Sequence, residues 1–285
     1  MFIYFNGEFI HKDEVRISPY DHGFLYGIGL FETFRIYNGH PFLLDDHLER
    51  LNDGLKQLKI MARFQREEIR EILSRLLLEN SLENAYIRLN VSAGTGDIGL
   101  RTAEYLNPNL LIFSKPLPPA EDMAEKRVQT LSLPRNTPEG TERLKSHHYL
   151  NNVFAKQEIG DVPDLEGVFL TKEGFLAEGI VSNLFWVRGQ ALYTPSLETG
   201  ILNGITRKFV IALARASGLE IREGFYREEE AESAEELFLT NSIQEIVGVN
   251  SYKSKAFPGK EGPVAKELFK RYGEYRTNLW SRNEL

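Results

Sequence analysis

The sequence predicts an α+β fold divided into two domains. Strand-like and helix-like segments occur in groups along the 285 residues and do not follow a strict strand–helix–strand alternation. A chain of this length is long for one domain and sufficient for two. The polar, proline-rich stretch at 116–123 is the best candidate for a linker. The predicted domains are therefore an N-terminal one at 1–115 and a C-terminal one at 124–285.

The predicted N-terminal domain begins with two hairpins. Asn6-Gly7 and Asn38-Gly39 each separate two strand-like runs, and Asn and Gly tolerate the positive φ of a tight hairpin turn. A helix with Asp45 as its cap follows the second hairpin, because leucines recur there at helical spacing. The other elements predicted here are strands at 2–5, 8–10, 30–37, 41–44, 85–91 and 110–113, a helix at 66–78 and a glycine-rich loop at 21–29.

The predicted C-terminal domain also mixes strands with helices. Apolar alternation bounded by turn residues predicts the strands, and helical spacing of apolar residues predicts the helices. The strands are expected at 128–133, 167–171, 183–187, 191–193, 220–225 and 237–240. The helices are expected at 150–159 and 205–217, in the acidic run 227–236 as a solvated face, and from Pro263 onward.

The composition excludes several classes of protein. A hydrophobic fraction of 42% and a charged fraction of 26% are ordinary for a globular protein. The net charge of −7 disfavours binding to nucleic acid and to an anionic membrane. The chain contains no cysteine, which excludes disulfides and thiolate chemistry. Because no signal peptide and no apolar run of about 18 residues is present, we expect a cytoplasmic protein.

Residues 135–152 hold a dense group of reactive side chains, with Arg143, Lys145, two histidines, a tyrosine and the amides of Asn151 and Asn152. The segment begins in turn residues and ends where a helix is predicted to start, and enzymes often carry their chemistry on such loops. A single lysine is more often a surface charge. The central hypothesis is that Lys145 forms a Schiff base with pyridoxal phosphate.

Schiff-base chemistry with this cofactor also requires a carboxylate at the pyridine nitrogen and an arginine at the phosphate. Glu178 lies between short apolar runs, and because acids are seldom buried without a partner, it has either solvent or a paired group beside it. Arg50 falls off the leucine stripe of its predicted helix. Glu178 and Arg50 are the candidates for these roles, although spacing alone does not bring them together.

Two further segments suit a phosphate. The glycine-bearing turn at 200–204 opens a helix at Ile205 and Thr206, where free N–H groups and the positive end of the helix dipole attract an anion. Asn241 and Ser242 end a predicted strand with hydrogen-bonding side chains that suit either an anion or capping.

Two other motifs are interpreted as structural. The glycines at 94, 96 and 99 match a dinucleotide-binding pattern, but no helix is predicted to open after them, so we interpret the segment as a loop. His147 and His148 are adjacent, and adjacent side chains rarely bind one ion. No metal site is predicted.

In this order, the motifs resemble the fold-type IV pyridoxal-phosphate enzymes, the class-IV aminotransferase family. The match runs nearly end to end. It is carried by DHGFLYGIGLFETF at 21–34, HLERL at 47–51, KSHHYLNN at 145–152, EGIVSNLFW at 178–186, YTP at 193–195, GILNGITR at 200–207 and LTNS at 239–242.

The resemblance implies two α+β domains with the cofactor at their interface, and a homodimer. It implies that Lys145 holds pyridoxal phosphate and then acts as the base, and that Glu178 keeps the ring nitrogen protonated. It also implies a set of phosphate ligands: Arg50, the N–H groups of Ile205 and Thr206, and Ser242 or Asn241.

Within the family, KSHHYLNN and SNLFW are most similar to 4-amino-4-deoxychorismate lyases. Such an enzyme eliminates pyruvate from 4-amino-4-deoxychorismate and yields 4-aminobenzoate for folate biosynthesis. Thr33, Arg88 and Tyr26 are the candidates for contacts with the substrate. An ordinary ion pair is an equally good interpretation of Arg88.

Two rival functions remain open. The first is a D-amino-acid or branched-chain aminotransferase with the same cofactor. The D-amino-acid enzymes carry an Arg-x-His pair before the lysine, whereas residues 94–101 contain no histidine here. The second rival is a binding homologue that has lost its chemistry, against which the intact Lys145 and Glu178 argue.

Overall fold

The computed structural model describes all 285 residues and divides them into two compact units. Unit 1 comprises Met1–Pro119, Leu144–His148 and Arg276–Glu284, and unit 2 comprises Ala120–Arg143, Tyr149–Tyr275 and Leu285. The first boundary between the two units along the chain, between Pro119 and Ala120, falls inside the predicted linker. Two segments that the sequence analysis assigned to the C-terminal domain belong to unit 1 instead, namely the one with Lys145 and the C-terminal one.

Unit 1 is built on a six-stranded sheet in which every neighbouring pair of strands is antiparallel. The order across the sheet is β2-β1-β6-β5-β3-β4. Both predicted Asn-Gly turns are confirmed, with φ of 47° at Asn6 and 48° at Asn38. The strands are β1 (Phe2–Phe5), β2 (Glu8–His11), β3 (Gly29–Tyr37), β4 (His40–Pro41), β5 (Ala85–Ser92) and β6 (Asn109–Pro116).

Three helices accompany this sheet: α1 (His22–Tyr26), α2 (Leu44–Gln57) and α3 (Arg66–Asn80). The predicted leucine stripe of α2 and the apolar face of α3 are buried in one core with strand residues of the sheet. The short α1 replaces part of the predicted loop, because the Asp21 side chain accepts a hydrogen bond from the Gly23 N–H and caps the helix.

The prediction that Asp45 caps α2 is wrong. The cap position is two residues earlier, at Leu43, whose φ is 55° and whose side chain makes no capping hydrogen bond. The N–H groups of Leu43 and Asp45 donate instead to the carbonyls of Leu279 and Trp280, each at 3.1 Å. The Asp45 carboxylate pairs with Arg66. The C-terminal segment therefore belongs to unit 1, because it caps a helix there.

Residues 144–148 pair with the beginning of β3. Phe31 N–H donates to the Lys145 carbonyl at 2.9 Å, and His147 N–H donates to the Gly29 carbonyl at 3.0 Å. An antiparallel bridge joins Leu30 to Ser146. The backbone of Lys145 is thus fixed to the unit 1 sheet, although its neighbours in sequence lie in unit 2.

Unit 2 contains a mixed nine-stranded sheet. Its strands are β7 (Ala124–Thr130), β8 (Leu165–Leu170), β9 (Leu176–Gly179), β10 (Asn183–Arg188), β11 (Ala191–Pro195), β12 (Glu220–Gly224), β13 (Glu236–Asn241), β14 (Glu245–Tyr252) and β15 (Lys255–Ala256). The order is β12-β11-β10-β13-β14-β7-β8-β9, and β15 pairs with β14. The pairs β11–β12, β14–β7 and β7–β8 are parallel.

The helices of unit 2 are α4 (Leu150–Ile159), α5 (Ile205–Ala216), α6 (Glu228–Glu232) and α7 (Pro263–Tyr275). The predicted bounds of α4 and the predicted starts of α5 and α7 are confirmed. The strand predicted at 128–133 begins earlier, at Ala124, because that residue pairs with β14. Strands β9, β14 and β15 were not predicted.

No helix is both long enough and apolar enough to span a membrane.

Candidate active site

The predicted site residues fall into two groups, one in each unit. The unit 1 group consists of Tyr26, Thr33, Arg50, Arg88 and Lys145. The unit 2 group consists of Glu178, Ile205, Thr206, Asn241 and Ser242.

The Lys145 amine lies against an aromatic ring. Its Nζ is 4.5 Å from the ring centroid of Phe31, a residue that is 2% exposed. The guanidinium carbon of Arg88 lies 3.8 Å from the same centroid. Contacts of this kind between a cation and the face of a ring are attractive. Phe31 therefore places the predicted reactive amine and a predicted substrate-binding guanidinium beside one ring.

Thr33 and Arg88 lie side by side on two adjacent strands. They are direct partners in the register of β3 with β5, so their side chains lie on the same face. The Phe31 and Asn90 pair lies two residues along, on that same face. Arg88 Nε donates to the Asn90 side-chain oxygen at 3.0 Å. The structure thus brings Thr33 and Arg88 together beside Phe31.

Tyr26, the third predicted substrate residue, holds the glycine-rich loop. Its hydroxyl accepts a hydrogen bond from the Gly99 N–H at 2.6 Å. His22 lies beside it and has its Nε2 at 2.9 Å from the Asp97 carbonyl. No helix opens after this loop, which confirms the interpretation of the glycine motif as structural.

Arg50 is anchored by a buried carboxylate that the sequence analysis did not identify. Glu32, 1% exposed, accepts hydrogen bonds from Arg50 Nε at 2.8 Å and from Arg50 Nη2 at 2.7 Å. His47 Nδ1 lies 2.7 Å from the same carboxylate and must be the donor, because a carboxylate only accepts. Two hydrogen bonds to one carboxylate thereby hold the Arg50 guanidinium in a fixed plane.

The charges in this cluster follow from its geometry. Burial by itself would raise the pKa of Glu32, but the positive charge of Arg50 and the hydrogen bond from His47 outweigh burial and lower the pKa to about 2. Burial lowers the pKa of His47 below its ordinary value. At neutral pH the cluster therefore holds an ionised Glu32, a charged Arg50 and a neutral His47.

His147 is a half-buried ring in unit 1. It packs so closely on Gly29 that a β-carbon there would collide with it. Burial, followed by the charge of Arg88, lowers the pKa of His147 to about 4, so the ring is neutral at physiological pH. No group of three or more His, Cys, Asp or Glu residues is arranged to hold a metal ion.

Glu178 is buried and paired with arginine. Its Oε1 accepts a hydrogen bond from Arg135 Nε at 2.8 Å and forms an ion pair with Arg135 Nη2, also at 2.8 Å. Its Oε2 accepts a hydrogen bond from the Leu202 N–H at 2.9 Å. Arg143 Nε lies 3.7 Å from Oε1. Burial, together with the charge of Arg135, lowers the pKa of Arg143 to about 10. The expectation that a buried Glu178 needs a partner is confirmed, and that partner, Arg135, was missed.

A hydroxyl pair stands at the predicted phosphate site of unit 2. Thr206 Oγ1 and Ser242 Oγ are 3.2 Å apart. Helix α5 begins after Gly204, which supplies no side-chain cap and where a β-carbon would collide with Asn183. An uncapped helix N-terminus beside two hydroxyls suits an anion.

The Asn241 side chain holds its own turn. Its oxygen accepts hydrogen bonds from the N–H groups of Ile243 at 2.9 Å and Gln244 at 2.7 Å. Its amide donates to the Gln244 side-chain oxygen at 3.2 Å. Of the two alternatives predicted for the phosphate, Ser242 is therefore the better candidate.

These groups fit pyridoxal phosphate chemically. The Glu178 carboxylate accepts hydrogen bonds, which suits a protonated pyridine nitrogen. Arg50, the N-terminus of α5 and the Thr206–Ser242 pair suit the phosphate. Lys145 supplies the amine that the aldehyde requires.

Comparison with known proteins identifies the family. A model described as amino-transferase class IV matches residues 29–252. The chain belongs to this family. Aminodeoxychorismate lyase from Bacillus subtilis (strain 168) is 47% identical over 279 residues, covering 97% of this chain and 95% of that protein.

Solved structures of class IV proteins agree with this fold. The T.th. branched-chain amino acid aminotransferase, complexed with N-(5'-phosphopyridoxyl)-L-glutamate, has a TM-score of 0.87 and 27% identity, covering 97% of this chain and 94% of that one. A putative 4-amino-4-deoxychorismate lyase from Legionella pneumophila has a TM-score of 0.82 and 27% identity, covering 92% and 96%. The predicted family, the fold-type IV class and pyridoxal phosphate as cofactor are confirmed.

We expect Glu32→Gln to remove a stabilisation that depends on pH. Because the pKa of Glu32 in the folded protein is about 2, below its ordinary 4.5, the carboxylate stabilises the fold above pH 4.5, and this contribution is lost as the pH falls toward 2. The shift corresponds to about 3 kcal/mol at neutral pH. Urea unfolding should show a large difference between wild type and variant at pH 7 and a smaller one at pH 3.

The matched control is Glu49→Gln on the same helix as Arg50, where the side chain is 60% exposed. It should leave both unfolding curves close to wild type. A destabilisation by Glu32→Gln that is equal at the two pH values would contradict the assignment of charge to Glu32.

Proposed function

We propose that this protein is a 4-amino-4-deoxychorismate lyase. The observation that carries the proposal is the 47% identity, over nearly the whole chain, with the B. subtilis aminodeoxychorismate lyase. The site chemistry agrees, because an amine, a buried carboxylate and two groups of anion-binding donors are what a lyase dependent on pyridoxal phosphate needs.

The cofactor-binding residues have distinct roles. Lys145 binds the cofactor aldehyde through its Nζ. Glu178, whose carboxylate is held in place by Arg135, would accept a hydrogen bond from the ring nitrogen and favour the protonated ring. Arg50, the N–H groups of Ile205 and Thr206, and Ser242 bind the phosphate. When bound, pyridoxal phosphate accepts the electron pair that the substrate carbon releases.

Lys145 is also the base of the reaction. Its Nζ would remove the proton at C4 of the bound substrate. The C3–O bond then breaks, the enolpyruvyl group leaves as pyruvate, and the ring becomes the aromatic ring of 4-aminobenzoate. The atoms balance without an oxidant or a second substrate.

Arg88 and Thr33 are the proposed substrate contacts. Both lie on the face of the sheet that carries Phe31, against which the Lys145 amine packs. A guanidinium suits either carboxylate of the substrate, and a threonine hydroxyl adds a hydrogen bond. Tyr26 is a weaker candidate, since its hydroxyl already accepts a hydrogen bond from Gly99.

An aminotransferase is the second candidate function. The branched-chain aminotransferase structure shares 27% of its sequence with this chain and has the same fold. Lyases and transaminases of this family use the same cofactor contacts, so the reaction itself must separate them.

Covalent attachment tests the role of Lys145. We expect borohydride treatment of the holoprotein to fix one phosphopyridoxyl group, which peptide mass spectrometry will locate on Lys145. Lys145→Ala should lose this adduct and the near-visible absorbance, because no other residue is proposed to bind the aldehyde. An adduct on a different lysine, or absorbance that survives in Lys145→Ala, would show that the assignment is wrong.

The products test the reaction. We expect the pure protein to convert 4-amino-4-deoxychorismate into 4-aminobenzoate and pyruvate in equal amounts. Chromatography measures both products. Incubation with alanine and 2-oxoglutarate should give no glutamate. Keto-acid exchange without 4-aminobenzoate would favour the aminotransferase, and a protein that takes up no cofactor would favour the inactive homologue. Lys145→Ala is the negative control.

We also propose a homodimer formed in part by α4. Leu150, Val153 and Phe154 are 64%, 43% and 51% exposed, and their spacing places them on one face of the helix. A second copy of the chain would remove this apolar stripe from water.

The predicted cytoplasmic location stays a prediction.

Light scattering after size exclusion tests the dimer. We expect the wild-type mass to be twice that of the chain, 32.7 kDa. Phe154→Glu should shift the protein toward the monomer, because it places a charge in the apolar face. Lys172→Glu, in a turn of unit 2, is the matched control and should leave the mass unchanged. A monomeric wild type would overturn the proposal.

A further inference from the structure

A buried ion pair lies in unit 2 among residues that have no role in the proposed reaction. Lys126 of β7 is 9% exposed and Glu166 of β8 is 3% exposed. Lys126 Nζ donates to Glu166 Oε2 at 3.0 Å. Removing two charges from water costs several kcal/mol for each ion, and the attraction between them often fails to recover that cost. Stability alone is therefore a weak explanation for the pair.

On one side, the pair is connected to the turn that carries Ser242. Lys126 Nζ also donates to the Gln244 side-chain oxygen at 3.1 Å. The same oxygen accepts a hydrogen bond from the Asn241 amide at 3.2 Å. Asn241 in turn accepts hydrogen bonds from the N–H groups of Ile243 and Gln244, so it closes the turn around Ser242. The Lys126 ammonium and the Asn241 amide thus donate to the same Gln244 oxygen, which connects the ion pair to the residue that closes the turn.

On the other side, the pair is connected to the segment that follows Glu178. Glu166 Oε1 accepts a hydrogen bond from the Val181 N–H at 3.4 Å. A β-carbon at Gly179 would lie 3.1 Å from that oxygen, which is tighter than an ordinary contact. The Glu166 carboxylate therefore packs against the backbone next to Glu178, and a glycine permits this close approach.

We propose that Lys126 and Glu166 are positioning residues that act through Gln244 and hold the 241–244 turn so that Ser242 meets Thr206 at the cofactor phosphate. The pair fixes the turn relative to β9, which carries Glu178. This inference rests on the proposed role of Ser242 and Thr206 at the phosphate. A reference variant of those two residues shows whether that phosphate role fails or only the positioning role of Lys126 and Glu166 fails.

The test compares pyridoxal phosphate with pyridoxal, which lacks the phosphate. The apo form of the full chain is titrated with each ligand, and the near-visible absorbance gives the two dissociation constants. Gln244→Met removes the acceptor of Lys126 and leaves the ion pair intact. It should weaken pyridoxal phosphate about tenfold, the effect of a lost hydrogen bond to a charged group, and leave pyridoxal unchanged. Gln129→Met, an exposed position on β7, is the matched control and should change neither constant.

A second pair of variants separates positioning from stability. Lys126→Met leaves the buried Glu166 charge without its partner, so both the melting temperature and the affinity for pyridoxal phosphate should fall. Lys126→Met/Glu166→Gln removes that unpaired charge and should recover the melting temperature. The selective loss of affinity for pyridoxal phosphate should persist, because the donor to Gln244 is still absent.

Three results would overturn the proposal. The first is equal weakening of both ligands by Gln244→Met, and the second is no weakening at all. The third is recovery of both melting temperature and affinity in the double variant, which would make the pair purely stabilising. Thr206→Val/Ser242→Ala is the reference. If this variant binds pyridoxal phosphate as tightly as wild type, the phosphate assignment itself fails, and the inference fails with it.

Discussion

A carboxylate buried in a protein is stable only where positive charge or hydrogen-bond donors face it, and both units of this protein are built around that constraint. In unit 1 the Glu32 carboxylate binds Arg50 and His47. In unit 2 the Glu178 carboxylate binds Arg135 and the Leu202 N–H. Glu32 is thereby kept ionised, and both carboxylates are held in fixed positions by their donors.

The two acids use their partners differently. Glu32 fixes the plane of the Arg50 guanidinium through two hydrogen bonds, so any effect of Glu32 on the proposed phosphate site is exerted through the arginine. Glu178 is itself the proposed contact to the ring nitrogen. Arg135 is further tied to the side chains of Asn151 and Asn152 at the start of α4. Asn151 and Asn152 therefore help to position the guanidinium that pairs with Glu178.

Long-range backbone pairing decides where the reactive lysine lies. The segment around Lys145 forms hydrogen bonds with the beginning of β3, and Phe31 of β3 supplies the ring against which the amine packs. The C-terminal segment likewise replaces a local cap at the start of α2, the helix that carries His47 and Arg50. The position of Lys145 and the start of α2 thus both depend on contacts with residues that are distant in the sequence.

The sequence by itself determined the turns, most of the helices and strands and the family, and it identified the candidates for the reactive side chains. Asn6-Gly7 and Asn38-Gly39 identify hairpins and the spacing of apolar residues identifies α4, since these depend on neighbours along the chain. Only the tertiary structure decided the partner of Glu178, the unit of Lys145 and the cap of α2. Arg135 lies 43 residues from Glu178, and Arg282, which binds Asp46 beside that cap, lies 236 residues away. No local pattern encodes such a contact, because it forms only when the sheets bring distant segments together.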